Sequence, residues 1–353
     1  MNHFFPIAFI AIGLILARCS ENTNAGMQGN QTITEQLKKI SAVLQDSSFA
    51  VELAKKQDAA YYLAQQQTPP AFLTGTDDSI QKSYKEEKIA INIAGFYALE
   101  CGIGVLIEQK GGTITEWLKK IIDGKIDSTE LLVLNRFANA TWKAGQPFRS
   151  LKRIRRDNFI SAALLSTDEI KKDFEQVMAA AKKLLPAIGN AKDSSNSIQL
   201  LRLDKLLKDK QFAAEMAMHI EAAYYAGQQQ ATPLFLKPGE DTSTIKKSVN
   251  EDKIATNIAG FYALECGLSY LATAENRLPS GVLQSILNDS ISNQHKRLFE
   301  RFANATWKAG QPFRGLSRIE RKIFTPFDLI PAEEIEKDWV QIKTAAELLK
   351  KWL

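Results

Sequence analysis

The chain carries the same two blocks twice. IAINIAGFYALECG at Ile89–Gly102 returns as IATNIAGFYALECG at Ile254–Gly267, and RFANATWKAGQPFR at Arg136–Arg149 returns unchanged at Arg301–Arg314. Both pairs are offset by 165 residues, since 254 − 89 and 301 − 136 are equal. Solenoid and propeller units repeat every 20–50 residues or so, so a period this long points to two whole domains in tandem. At 353 residues, with 45% hydrophobic and 24% charged side chains, the chain can bury two cores of ordinary size.

Copy one is expected over residues 33–188 and copy two over 198–353, joined by the polar stretch GNAKDSSNS at 189–197. Near the start of each copy the offset falls to 163, as with Phe49/Phe212, Tyr61-Tyr62/Tyr224-Tyr225 and Phe72/Phe235. The loop LKPGEDTSTI of copy two therefore holds more residues than its counterpart LTGTDDSI, an insertion that a surface loop absorbs.

The fold expected is all-α: two tandem homologous antiparallel helical bundles, about six helices each. Thr32-x-x-Glu35 is a capping-box pattern opening the first helix. A second runs from Ser48 to Gln65–Gln67, where Pro69-Pro70 forbids continuation. A long third spans 79–109 and ends at Gly111-Gly112. Thr113-x-x-Glu116 opens a short helix that Gly124 closes, and Asp127-x-x-Glu130 opens one that stops at Gly145, with Pro147 behind it. The last runs from Thr167 to about Leu185. No stretch shows sustained strand alternation.

The N-terminus reads as a targeting segment. Phe4–Ala17 is an apolar run, too short to span a bilayer comfortably, followed by Arg18-Cys19-Ser20. Leu16-Ala17-x-Cys19 resembles the lipobox of bacterial lipoproteins, although Arg18 stands where that pattern carries a small residue. The resemblance implies a signal peptide over 1–19, lipidation at Cys19, a membrane anchor, and residence in the cell envelope as a periplasmic or outer-membrane-associated lipoprotein. Residues 20–32 are polar and aperiodic and read as a flexible tether. In the exported part only Cys101 and Cys266 remain, at equivalent positions, and they are expected as buried free thiols.

Charge and motifs narrow the chemistry. A net charge of +5, with acids and bases interleaved, gives no broad field for nucleic acid. The exported part has two histidines, His219 and His295, in unrelated positions, and no HExxH, CxxC, GxSxG, P-loop or strand-following GxGxxG. No metal, cofactor or catalytic set is expected. The sequons at Asn139 and Asn304 fall inside expected helices.

The repeated blocks hold the candidate site. At 100° per residue, Glu100 falls in the apolar stripe of Ile89, Ile93, Phe96 and Ile103, and Glu265 repeats this placement. A buried carboxylate needs a partner. Two readings follow. In one, an arginine of the second block caps the glutamate and fixes helix packing. In the other, Glu100, Arg136, Asn139, Lys143, Gln146 and Arg149, with Glu265, Arg301, Asn304, Lys308, Gln311 and Arg314 in copy two, line pockets for a small anionic or zwitterionic ligand. The second reading is motivated by drift elsewhere: 103–135 against 268–300 retains four identities in 33 positions, while the polar residues of the blocks are unchanged. Arg149, Arg153 and Arg156 continue as a basic strip, matched by Arg314, Arg318 and Arg321. The function expected is non-catalytic binding of such a ligand or of an envelope protein. The alternatives are a carboxylate-dependent enzyme using Glu100/Glu265 and a purely structural envelope protein.

Overall fold

The computed structural model describes residues 32–46, 48–49, 52, 79–188, 196–212, 215 and 244–353. The signal segment with Cys19, the tether, most of the second expected helix, both length-variant loops except their last residues, and all but the end of the linker lie outside the described residues.

Copy one contributes α1 (Ile33–Gln45), β1 (Ser79–Ser83), α2 (Tyr84–Asn92), α3 (Ala94–Lys110), α4 (Ile114–Ile122), α5 (Ser128–Arg149) and α6 (Thr167–Ile188). Copy two contributes α7 (Asn196–Lys208), β2 (Thr244–Ser248), α8 (Val249–Asn257), α9 (Ala259–Ala274), α10 (Pro279–Leu287), α11 (Asn293–Arg314) and α12 (Ala332–Leu349). Among the described residues the architecture is all-helical apart from one two-stranded ladder.

Local signals place several of these elements. Thr32, Thr113 and Asp127 each accept from the backbone N–H three residues on, and Glu35, Glu116 and Glu130 reach back to the capping residue's own N–H. These are complete capping boxes, which satisfy otherwise orphaned donors. Gly111, at φ 75°, ends α3 by donating to Ile107 O.

Three expectations change. The helix expected over 79–109 begins only at Tyr84, because residues 79–83 pair antiparallel with 244–248, Ser79 opposite Ser248 and Ser83 opposite Thr244. Local propensity yields here to a partner strand from the other copy. The helix expected to stop at Gly145 continues through Pro147 to Arg149. Gly145 is needed for space rather than for a turn: a Cβ there would lie 2.9 Å from Phe313 Cε2, and one on Gly310 would lie 2.9 Å from Phe148 Cε2. The last helix of copy one also runs past Leu185, through Pro186, to Ile188.

The two copies bury one another. A single apolar cluster takes in Leu37, Phe96, Ile121 and Phe137 together with Phe302, Leu271, Ile286 and Trp339. α5 packs along α11 at its centre, where Phe137 and Phe302 stack at 4.0 Å, and near the ends of the two helices Phe148 and Phe313 stack at 5.5 Å in a separate small cluster with Ala90 and Ala255. The first helices cross over. Gln36 of α1 exchanges two hydrogen bonds with Ser280 of α10, while α7 packs on α4 and α6. One helical stretch, Glu86–Lys110, is long and apolar enough to cross a membrane, and it is mostly buried inside the protein.

Candidate functional site

The structure does not bring the candidate residues to one place. Glu100, Lys143, Glu265 and Lys308 lie in the core, and each glutamate is satisfied by the opposite copy. Lys308 Nζ donates to Glu100 Oε2 at 2.5 Å and the Phe327 N–H to Glu100 Oε1 at 3.0 Å. Reciprocally, Lys143 Nζ donates to Glu265 Oε2 at 2.5 Å and the Ala162 N–H to Glu265 Oε1 at 2.8 Å. The partner is therefore a lysine across the copy interface, not an arginine within the bundle. Cys101 and Cys266 are free and buried, and their thiols donate to the adjacent glutamates. Burial first, and then the neighbouring carboxylate, pushes both thiols well above their ordinary range. Asn304 and Asn139 accept long contacts from the two thiols, again across the interface.

Arg136 and Arg301 hold equivalent positions in different surroundings. Arg301 is bonded to Asp328 and Glu108; burial opposes its charge, but the two carboxylates outweigh it and raise its pKa. Asp328 corresponds to Ala163 in copy one, and Glu108 to Thr273 in copy two. Among the described residues Arg136 therefore meets the Thr273 hydroxyl at 3.2 Å and its Nε has no partner, and desolvation lowers its pKa. Neither arginine reaches the cavity described next.

Gln146 and Arg149 do line a cavity, one of about 330 Å³ between α2, α5, the turn Leu151–Arg155, α6 and the Phe313 ring of α11. The end of α5 and the following turn bring Arg149, Arg153 and Arg156 together there, with Lys88 and a single lining carboxylate, Glu87. Arg153 Nε donates to Gln146 Oε1 at 2.8 Å, and Gln146 Nε2 donates back to Trp142 O, so the helix holds the guanidinium in place. Burial, then the charges of Arg149 and Arg156, lower Arg153 to about 10. Arg318 is shifted the same way by burial and by Arg314 and Arg321. An anion entering this cluster would relieve the mutual repulsion of the guanidiniums and offer them bidentate acceptors.

A second cavity of about 210 Å³ adjoins the first, sharing Trp142, Arg156 and Gln176. Asn139 lines it, with Glu169, Lys172 and Asp173 of α6. Glu169 is engaged by Lys172 at 2.7 Å and by Asn158 at 3.1 Å. Asp173 has one long bond, from Asn139 Nδ2 at 3.5 Å, and desolvation raises it to about 7.

Every lining residue of the larger cavity recurs identically at offset 165, or for Phe313 as Phe148, with two exceptions. Glu87 becomes Asp252, which keeps the charge, and Ile91 becomes Thr256. In the smaller cavity only Asn158 and Leu165 change, to Ile323 and Ile330. The α6 residues were missed in the sequence. Their signal was the same internal comparison: Glu169, Lys172, Asp173 and Gln176 recur as Glu334, Lys337, Asp338 and Gln341. Among the described residues no group of three or more His, Cys, Asp and Glu is placed to share a metal ion.

Comparison with known protein families, curated proteins and solved structures finds no match for this chain.

Proposed function

We propose that this protein is a non-catalytic binder of a small anionic ligand, built as a tandem pair of homologous helical units and carried in the bacterial cell envelope by a lipid anchor at Cys19. One observation carries the binding reading: Arg149, Arg153 and Arg156 converge on a cavity of about 330 Å³ whose walls are duplicated almost to the letter. That volume suits a small molecule, and three arginines and Lys88 beside the one lining carboxylate, Glu87, leave a net positive charge for an anion to meet. Core packing does not require such a set, because it tolerates exchange among residues of similar volume. Export and anchoring rest on the N-terminal sequence alone.

The enzyme alternative has less support at Glu100 and Glu265. Both carboxylates are buried and ion-paired, and Glu265 is 0% exposed. A general acid or base must reach a substrate proton. The structural alternative draws on the same pairs, which hold the copies together, but it gives no reason for an arginine cluster beside a cavity.

Isothermal titration of the full-length protein with inorganic phosphate, citrate and butyrate tests the reading. At least one should bind saturably, and Arg153→Gln combined with Arg318→Gln should weaken it at least tenfold while the helical circular dichroism is retained. Absence of saturable binding by all three, and by ω-amino acids of similar size, sinks the proposal.

A further inference from the structure

The two adjoining cavities differ in charge. The larger gathers Arg149, Arg153, Arg156 and Lys88 against Glu87, so it suits an acidic group. The smaller pairs Arg156 and Lys172 with Glu169 and Asp173. Of those two carboxylates, Glu169 is already bonded to Lys172 and Asn158, which leaves Asp173 as the acceptor with capacity to spare. Trp142 lines both cavities, and an aromatic residue beside a carboxylate is a favourable setting for an ammonium group.

Asp173 is also an unfavourable residue for folding alone. Asp173 and its counterpart Asp338 are half-buried, and loss of hydration raises both carboxyls to about 7. Asparagine would fit the same space without that cost, yet both copies carry aspartate.

We infer that the ligand is a small zwitterion, an amino acid-type molecule whose carboxylate sits among Arg149, Arg153 and Arg156 and whose ammonium group is held by Asp173 beside Trp142. This deepens the anion-binding reading and rests on it.

The test compares glycine, β-alanine, γ-aminobutyrate and 5-aminovalerate with acetate, propionate, butyrate and valerate, by titration into the full-length protein at pH 8. One amino compound should bind at least tenfold more tightly than its desamino partner. Asp173→Asn combined with Asp338→Asn should erase that gap while leaving the desamino affinity within twofold, with thermal unfolding confirming that the variant is folded. Desamino acids binding as tightly as their amino partners, or a gap that survives in the double variant, overturns the zwitterion inference and leaves the anion reading standing. If neither series binds, and phosphate and citrate do not either, both readings fall.

Discussion

At the scale of single residues, the paired core charges and the desolvated aspartates behave differently. Lys143 and Glu265 are both 0% exposed and 2.5 Å apart, and Lys308 and Glu100 repeat the arrangement. Removing one member leaves a buried charge without its partner, which costs roughly 3–5 kcal/mol, whereas replacing both by apolar groups is often neutral. Lys143→Met should therefore lower the urea-unfolding free energy by about that amount, and adding Glu265→Leu should recover most of it. A single-variant loss below about 1 kcal/mol would show that water or rearrangement satisfies Glu265.

Asp173 and Asp338 give a pH dependence whose sign follows from their raised values. A carboxyl near 7 in the folded chain and 3.8 in the unfolded one makes the folded state bind more protons across that window. Stability is thus lost as pH rises from about 4 to about 7, and the loss is complete above it. The charges that face Asp173 are Lys143 of α5 and Glu169 and Lys172 of α6, beside the Asn139 amide; Asp338 faces Glu300 and Lys308 of α11 and Glu334 and Lys337 of α12. Asparagine at both sites should raise the melting temperature at pH 8 and leave it nearly unchanged at pH 4. Equal melting shifts at the two pH values would contradict this assignment.

At the scale of elements, what was legible in the sequence was what neighbours in the chain decide. The capping boxes at Thr113 and Asp127 and the glycine stop at Gly111 all form as their spacing predicts, because donors and acceptors lie within four residues of one another. Gly145 was misread for the opposite reason. It has the composition of a helix stop, but α5 continues through it, because the Phe313 ring of α11 needs the room that a side chain would take. Gly145→Ala should push α5 from α11 and destabilise the protein by about 1–3 kcal/mol, with Gly310→Ala equivalent by the mirrored contact with Phe148. A neutral effect on denaturant midpoint at both positions would mean that the rings move aside freely. The strands at 79–83 and 244–248 were illegible, since five residues of SIQKS carry no alternation and the partner lies in the other copy.

At the scale of the whole molecule, the copies interpenetrate. The apolar cluster is shared, the first helices cross over, and both glutamates are satisfied from the far side. Neither copy can lose its structure without exposing the other's core and stranding its buried charges. Calorimetry should therefore record one cooperative transition, with calorimetric and van't Hoff enthalpies in agreement. Two resolved transitions would mean that each copy unfolds by itself.

The sequence by itself determined that the chain is helical and carries two repeated blocks, and that Glu100 and Glu265 are buried. Periodicity and local capping carry that information, and they act within a few turns of helix. Which charge meets which was decided only by the tertiary structure. Lys143 could have paired with Glu100 in its own copy or with Glu265 in the other, and identical blocks make those choices indistinguishable along the chain. Packing of α5 against α11 selects the second, since it sets the two lysines against the opposite copy's carboxylates. The same fold carries Gln146 and Arg149 away from that core and onto the cavity, where Asp173, silent in the sequence, closes the adjoining wall.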